Sequence, residues 1–284
     1  GGSAVGWTRF GVMVAFAVSA CDSGVEPGVR DGGFARNGAV ALRYVVDFPD
    51  GEGPFPVVVY GPGSGEVSKS NSMTQGHAGE WLSLGYAVVR YDKRGVGESG
   101  GDLLSLSTAN SHEVVPTLAA DMRAVLNEAL SLPRIDAERV GLFGVSQANW
   151  YMPLVAEADP RVDWVVVLTG GLIPVGPKNE WERLVFVEGR DPFAESTLDE
   201  WALYDGPLGW DQRPAVRDAE RPYLYLLGGR DRGVPMAPNL EEAEALRADG
   251  ADLTVLTYPV GEHLMPLVPY WFEIEDWLGE IGAL

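Results

Sequence analysis

Val140-Gly141-Leu142-Phe143-Gly144-Val145-Ser146-Gln147-Ala148 carries the strongest architectural signal in the chain. A short apolar run passes into a small-x-Ser-x-small turn, here Gly-Val-Ser-Gln-Ala, and helix-forming residues follow to about Ala156. Small neighbours let the chain swing sharply from strand to helix. The serine hydroxyl is then exposed at the turn, and the helix N-terminus beneath it favours developing negative charge. Ser146 is therefore the candidate nucleophile. Away from a strand-to-helix junction, the same five residues would mark an ordinary turn serine.

Outward from this turn, short apolar β-branched runs recur at residues 40–48, 55–60, 86–91, 140–143, 164–168, 223–227 and 253–258, and each reads as a strand. Helical patterns lie between several of them. Leu118, Met122, Val125, Leu126, Ala129 and Leu130 share one helix face by their spacing. Near-continuous apolar strands alternating with amphipathic helices describe a mostly parallel sheet covered on both faces, the α/β class. In such sheets reactive groups gather beyond the carboxyl ends of the strands. Residues 172–221 break the alternation, with no convincing strand but with Trp181, Phe186, Phe193, Trp201, Tyr204 and Trp210. A stretch of that length predicts an inserted helical cap that walls a pocket. Most of these aromatics are expected to pack the insertion onto the body rather than to meet substrate.

A serine hydroxyl needs a base, and the base an orienting carboxylate. Of the three histidines, His77 and His112 precede Ser146, while His263 follows the last predicted strand on a glycine-bearing loop. His263 is the candidate base. The strand at 223–227 runs through a glycine turn into Asp231, with Val234 and Pro235 to fix the loop, so Asp231 is the candidate acid. The order Ser, Asp, His is that of α/β-hydrolases. Glu262, adjacent to His263, is less suitable because neighbouring loop residues seldom point at one another.

With these positions in place, the chain from residue 38 onward resembles α/β-hydrolases of the serine carboxylesterase and S9-peptidase-like branch. Tyr91-Asp92-Lys93-Arg94-Gly95-Val96-Gly97-Glu98-Ser99 is similar to the family's D-x-R-G-x-G-x-S turn after the fourth strand, which is usually structural and implies no catalytic role. Residues 172–221 fall where the family inserts its cap. The resemblance implies an oxyanion hole made by the Gln147 N–H and one from the loop after the third strand, here Tyr60-Gly61-Pro62-Gly63-Ser64-Gly65. Relatives commonly carry His-Gly followed directly by the donor. Aligned without a gap, that donor would be Pro62, which has no N–H. A shift that lets Gly63 or Ser64 donate is favoured, since three glycines within five residues allow the backbone to reposition; otherwise the hole is impaired.

The 284 residues fit one large domain, and 46% apolar against 22% charged residues is ordinary for a packed body. Acids outnumber bases 41 to 21, a net charge of −20 that should repel nucleic acid, phosphorylated metabolites and anionic membrane surfaces and favour neutral partners. Residues 10–20 are continuously apolar, too short to span a bilayer but of signal-peptide length, and lead to Cys21, the only cysteine. Val18-Ser19-Ala20-Cys21 resembles the lipobox of bacterial lipoproteins. Residues 1–21 are thus expected to be a lipoprotein signal segment, with export to the cell envelope and membrane attachment through Cys21, or otherwise a secreted or periplasmic location; the alternative reading is an apolar first strand with a chance cysteine. Residues 22–37, rich in glycine and charge, are expected to be a tether to a domain spanning 38–284. No metal-ligand cluster, phosphate-binding loop or dinucleotide fingerprint is evident, and the expected chemistry requires neither a metal nor an organic cofactor. The expected activity is hydrolysis of small neutral carboxylic esters through an acyl-enzyme. Amide or peptide cleavage by the same three residues is the first alternative, and a binding protein with an impaired hole the second.

Overall fold

The computed structural model describes residues 30–265 and 270–284. Cys21 and the expected signal segment lie outside the described residues. Among the described residues eight strands form one sheet: β1 (Arg30–Asn37), β2 (Val40–Asp47), β3 (Phe55–Gly61), β4 (Ala87–Tyr91), β5 (Ile135–Val145), β6 (Val162–Leu168), β7 (Tyr223–Gly228) and β8 (Leu253–Tyr258). Their spatial order is β1-β2-β4-β3-β5-β6-β7-β8, antiparallel at β1–β2 and β2–β4 and parallel from β4 to β8.

Helices α1 (Ser72–Ser83), α2 (Ser111–Leu130), α3 (Ala148–Ala158), α7 (Met236–Ala248) and α8 (Tyr270–Glu280) cover the two faces. Strand alternation divides the side chains between them. Val57 and Val59, Leu142, Val165 and Val167 pack with Leu118, Met122, Val125 and Leu126 of α2 and Met152 of α3. Val58 and Tyr60, Phe143, Val166 and Leu226 pack on the other side with Trp81 of α1 and Trp271 and Trp277 of α8. The parallel strands therefore read as unbroken apolar runs because both of their faces are buried.

The tether expected over 22–37 is corrected for residues 30–37 by β1, and residues 22–29 lie outside the described residues. Arg30–Asn37 pairs residue for residue with β2, so the domain includes this strand and does not begin at 38. Only Ala35 of the strand is buried. An edge strand needs main-chain partners but no apolar alternation, which is why its glycine-rich, charged sequence passes for a linker.

Between β6 and β7 lie α4 (Val175–Glu182), a π-helical turn (Arg183–Val187), α5 (Glu195–Ala202) and α6 (Arg213–Asp218). Trp181 is fully buried and meets Trp201 edge-on with ring centroids 6.2 Å apart. The Trp201 Nε1–H donates to the Pro177 carbonyl at 2.7 Å.

Candidate active site

β5 delivers Ser146 with φ +51, a left-handed backbone that side-chain-bearing residues rarely adopt. The sharp turn is possible because Gly61 and Gly144 lie side by side in adjoining strands. A β-carbon on Gly144 would stand 2.6 Å from both Ala148 Cβ and Met152 Sδ, and one on Gly61 would stand 3.0 Å from each. Without side chains there, α3 starts directly over the strand end. The Ser146 N–H is held by the Leu168 carbonyl of β6 at 2.9 Å, and the Ser146 carbonyl accepts from the Asn149 N–H at 3.0 Å.

Asp231 follows β7 and His263 follows β8, and these two loops are sewn together by main chain. Gly229 N–H donates to the Tyr258 carbonyl at 2.7 Å and Arg230 N–H to the Gly261 carbonyl at 2.8 Å. The contact requires glycine, since a β-carbon on Gly228 would stand 2.4 Å from the Gly261 oxygen. Across this junction His263 Nδ1 lies 2.7 Å from Asp231 Oδ2, and His263 Nε2 lies 3.0 Å from Ser146 Oγ. The buried Asp231 carboxylate also accepts from the Gly233 and Val234 N–H groups at 2.8 and 3.0 Å. An acceptor-only carboxylate fixes the proton of a neutral imidazole on Nδ1 and leaves Nε2 free to accept from the serine hydroxyl. Ser146, His263 and Asp231, 117 and 32 residues apart in successive steps, are thus linked in series, each within hydrogen-bonding reach of the next. Glu262 is exposed and lies apart from this relay, on the wall of the adjoining cleft.

The loop after β3 runs beside the serine. A β-carbon on Gly63 would approach the Val145 oxygen to 3.3 Å and Ser146 Cβ to 3.7 Å, which places this residue against the turn. Pro62 is turned inward, its carbonyl accepting from Tyr151 Oη at 2.7 Å. Among the described residues the N–H groups of Gly63, Ser64 and Gln147 donate to no other group. Pro62 thus gives its carbonyl to the interior and has no N–H to offer the site.

The turn after β4 is built largely as its sequence implies. Asp92 accepts from the Lys69 main chain at 2.8 Å, from Lys69 Nζ at 2.8 Å and from the Glu98 N–H at 3.0 Å. Arg94 pairs with Asp121 at 2.6 Å. Lys93 is different: it is 3% exposed, and its Nζ donates to the Gly63 carbonyl at 2.8 Å and to Gln147 Oε1 at 3.0 Å. Sequence reading missed this residue. The available signal was that β3 and β4 are sheet neighbours, so the residues leaving β4 face the loop leaving β3.

A cleft of about 740 Å³ opens over the serine, lined by Ser64, Ser146 and His263 together with Phe186 and Phe193 of the insertion and Leu264. A smaller recess of about 250 Å³ lies on the far side of Lys178 and Glu182, against Leu103, Leu104, Leu106 and Trp150. Lys178 and Glu182 pair with each other and border both spaces. The insertion is fastened to the acid loop by Trp181, whose Nε1–H donates to the Arg232 carbonyl at 2.8 Å.

Comparison with known proteins agrees with this architecture. An uncharacterized 31.7 kDa Escherichia coli protein from the traX-finO intergenic region is 29% identical over 160 residues, covering 55% of this chain and 52% of that protein. The acylamino-acid-releasing enzyme of Rattus norvegicus is 24% identical over 186 residues, covering 64% of this chain and 25% of the enzyme. The matches thus span about half the length of one relative and a quarter of the other. Among solved structures, a Pyrococcus furiosus esterase superposes with TM-score 0.69 at 14% identity, over 89% of this chain and 91% of that one. Est1E from Butyrivibrio proteoclasticus, solved with ferulic acid bound, superposes with TM-score 0.64 at 14% identity, over 89% of this chain and all of that one (100%). At such identities the likeness is one of fold, and the fold is that of the α/β-hydrolases. The model of the X-Pro dipeptidyl-peptidase (S15) family matches residues 37–183, a span that includes Ser146 and ends before Asp231 and His263. Since this match covers just over half of the chain, the protein belongs to the S15 peptidase family, within the α/β-hydrolase superfamily of esterases and peptidases.

Proposed function

We propose that the protein hydrolyses neutral carboxylic esters through an acyl-enzyme, with Ser146 as nucleophile, His263 as general base and acid, and Asp231 as the group that orients the imidazole. The observation that carries this reading is the continuous relay from Ser146 Oγ to His263 Nε2 at 3.0 Å and from His263 Nδ1 to Asp231 Oδ2 at 2.7 Å. Ser146 Oγ attacks the ester carbonyl carbon while its proton passes to His263 Nε2. The carbonyl oxygen becomes an oxyanion facing the N–H groups of Gln147 and the loop after β3. Collapse of this intermediate expels the alcohol, which takes the proton back from His263. Water then repeats the sequence on the acyl-serine and releases the acid. Each step uses only groups of this chain, the ester and water.

Two features support an uncharged ester. Phe186, Phe193 and Leu264, all more than half exposed, offer apolar surface around the cleft for an acyl or alkyl group. The net charge of −20 opposes the long-range approach of anionic substrates, while Arg230 and Arg232 join Glu262 in the lining of the cleft itself. Amide or peptide cleavage is the second reading, favoured by membership of the S15 family and by the likeness to acylamino-acid-releasing enzyme. Steady-state assays with p-nitrophenyl butyrate and with aminoacyl p-nitroanilides separate the two. Ester turnover that Ser146→Ala abolishes is expected, and turnover of the anilides alone overturns the ester reading. Lipid attachment of an exported form through Cys21 belongs to the same proposal and rests on Val18-Ser19-Ala20-Cys21. Labelled palmitate should enter the wild-type protein in a bacterial host and not Cys21→Ser.

A further inference from the structure

Lys93 is one of only three lysines in a chain with 41 acidic residues, yet it is buried and, among the described residues, donates to no carboxylate. Its two hydrogen-bond acceptors, the Gly63 carbonyl and Gln147 Oε1, are both neutral oxygens. Taking an ammonium out of water without an ion-pair partner is costly, and burial pulls its pKa down to about 8. Lys69, in contrast, sits by the same turn and contacts both Asp92 and Glu98. A stabilising role of the ordinary kind would have given Lys93 an acid as well.

Lys93 joins the main chain of the loop after β3, at the Gly63 carbonyl, to the side chain of Gln147, at Oε1. In a trans peptide the C=O and the following N–H point in opposite directions. With the Gly63 carbonyl anchored inward on Lys93 Nζ, the N–H of the same peptide, that of Ser64, is turned outward. Ser64 is exposed on the wall of the cleft that it shares with Ser146 and His263. The preceding peptide is anchored as well, since the Pro62 carbonyl is held by Tyr151 Oη at 2.7 Å. The second donor of Lys93 ties this loop to Gln147, the residue whose N–H opens α3 beside the serine. The ammonium therefore spans the two halves of the hole.

We propose that Lys93 is a positioning residue of the oxyanion hole: it clamps the Gly63–Ser64 peptide to Gln147, so that the Ser64 N–H, together with that of Gln147, is aimed at the developing oxyanion. The inference rests on the serine-hydrolase reading but not on the choice between ester and amide. It also assigns the second donor to Ser64. The positive charge behind the 63–64 peptide further polarises that N–H as the oxyanion forms. Such assistance acts on the transition state and leaves ground-state binding alone.

The test compares the full-length wild type with Lys93→Met and with Ser64→Pro, which deletes the N–H in question. The substrate is p-nitrophenyl butyrate, and the probe of the hole is 1,1,1-trifluoro-2-pentanone, whose adduct with a serine carries an oxyanion. Removing one such donor typically costs about 10²–10³ in rate. For Lys93→Met we expect kcat to fall by roughly a hundredfold at unchanged KM, with the inhibition constant of the ketone rising by a similar factor. Ser64→Pro should do the same. A folded Lys93→Met enzyme with wild-type kcat and wild-type ketone affinity overturns the proposal, as does a rise in KM alone. Should Lys93→Met fail to fold, Lys93→Gln gives the same readings in a site that keeps a polar side chain. Rates of Ser146 labelling by a fluorophosphonate separate the two levels of inference. A wild type that labels but does not cleave the ester refutes the ester reading, and the ratio of its labelling rate to that of Lys93→Met still decides the role of Lys93.

Discussion

The backbone of Ser146 is strained, and the strain makes a prediction whose sign is opposite to the usual rule. At φ +51 the residue occupies the left-handed region, which costs a residue bearing a β-carbon roughly 1–2 kcal/mol and glycine nothing. Ordinarily a glycine is less stable than an alanine by about 0.5–1 kcal/mol, because it gives up more freedom on folding. At position 146 the relief should exceed that loss. Ser146→Gly and Ser146→Ala both lose the contact with His263, so the difference between them isolates the backbone. Ser146 is only half-buried, and the missing β-carbon leaves little unfilled space. The glycine variant is therefore expected to be the more stable of the two by about 0.5–1 kcal/mol, worth roughly 1–4 °C in Tm for a domain of this size. Urea denaturation of the two proteins side by side, with calorimetry as a second measure, reads the difference directly. Both should be inactive towards p-nitrophenyl butyrate. If Ser146→Ala proves the more stable, the serine does not sit in a strained turn, and the argument that this turn is built to present it collapses.

Two other perturbations test different parts of the molecule. Asp231→Asn keeps the shape of the acid but can donate where the carboxylate only accepts, so the imidazole is no longer held in the tautomer that leaves Nε2 free. A fall in kcat of about 10⁴-fold is expected, as for the same change in other Ser-His-Asp enzymes, with the fold intact by circular dichroism. A loss of less than tenfold would remove Asp231 from the relay. Away from the site, His77 is buried beside the hydroxyls of Tyr60 and Tyr270, at 3.4 and 3.2 Å, and burial pulls its pKa from 6.5 to about 4. The folded state thus binds this proton less readily than the unfolded chain does. The stability tied to the neutral ring is fully present above about pH 6.5 and is lost as pH falls towards 4, a change of roughly 3 kcal/mol. Denaturation curves between pH 7 and 4 should accordingly fall less steeply for His77→Gln than for the wild type, and parallel slopes would count against a neutral, buried imidazole.

What could be read from the sequence, and what could not, follows from the kind of interaction that places each residue. Ser146, Asp231 and His263 were legible because each sits one loop beyond an apolar strand, and a parallel sheet brings the ends of its strands to one edge whatever lies between them. The eight-residue strand Arg30–Asn37 was not legible. It is secured by main-chain pairing to β2 and by Arg30 against Asp47 at 2.7 Å, and neither leaves a hydrophobic period. The aromatics of residues 172–221 were legible as a group but not one by one. Trp181 is buried and grips the Arg232 carbonyl, while Phe186 and Phe193 face the cleft, and the same spacing would serve either fate.

Lys93 shows the limit most clearly. It stands inside a turn whose other members are structural, between Asp92, which contacts Lys69, and Arg94, which binds Asp121. Nothing local distinguishes it from a solvated lysine. Its significance arises only when β3 and β4 are laid side by side, because that places the residue leaving one strand behind the loop leaving the other. The same adjacency explains how a loop containing Pro62 is held beside the serine. The proline gives its carbonyl to Tyr151, the next carbonyl goes to Lys93, and the main-chain N–H groups of Gly63 and Ser64 are left without a partner among the described residues beside the serine. A loop that looks defective when aligned residue by residue is thus supported from beneath by two side chains, one from the turn after β4 and one from α3.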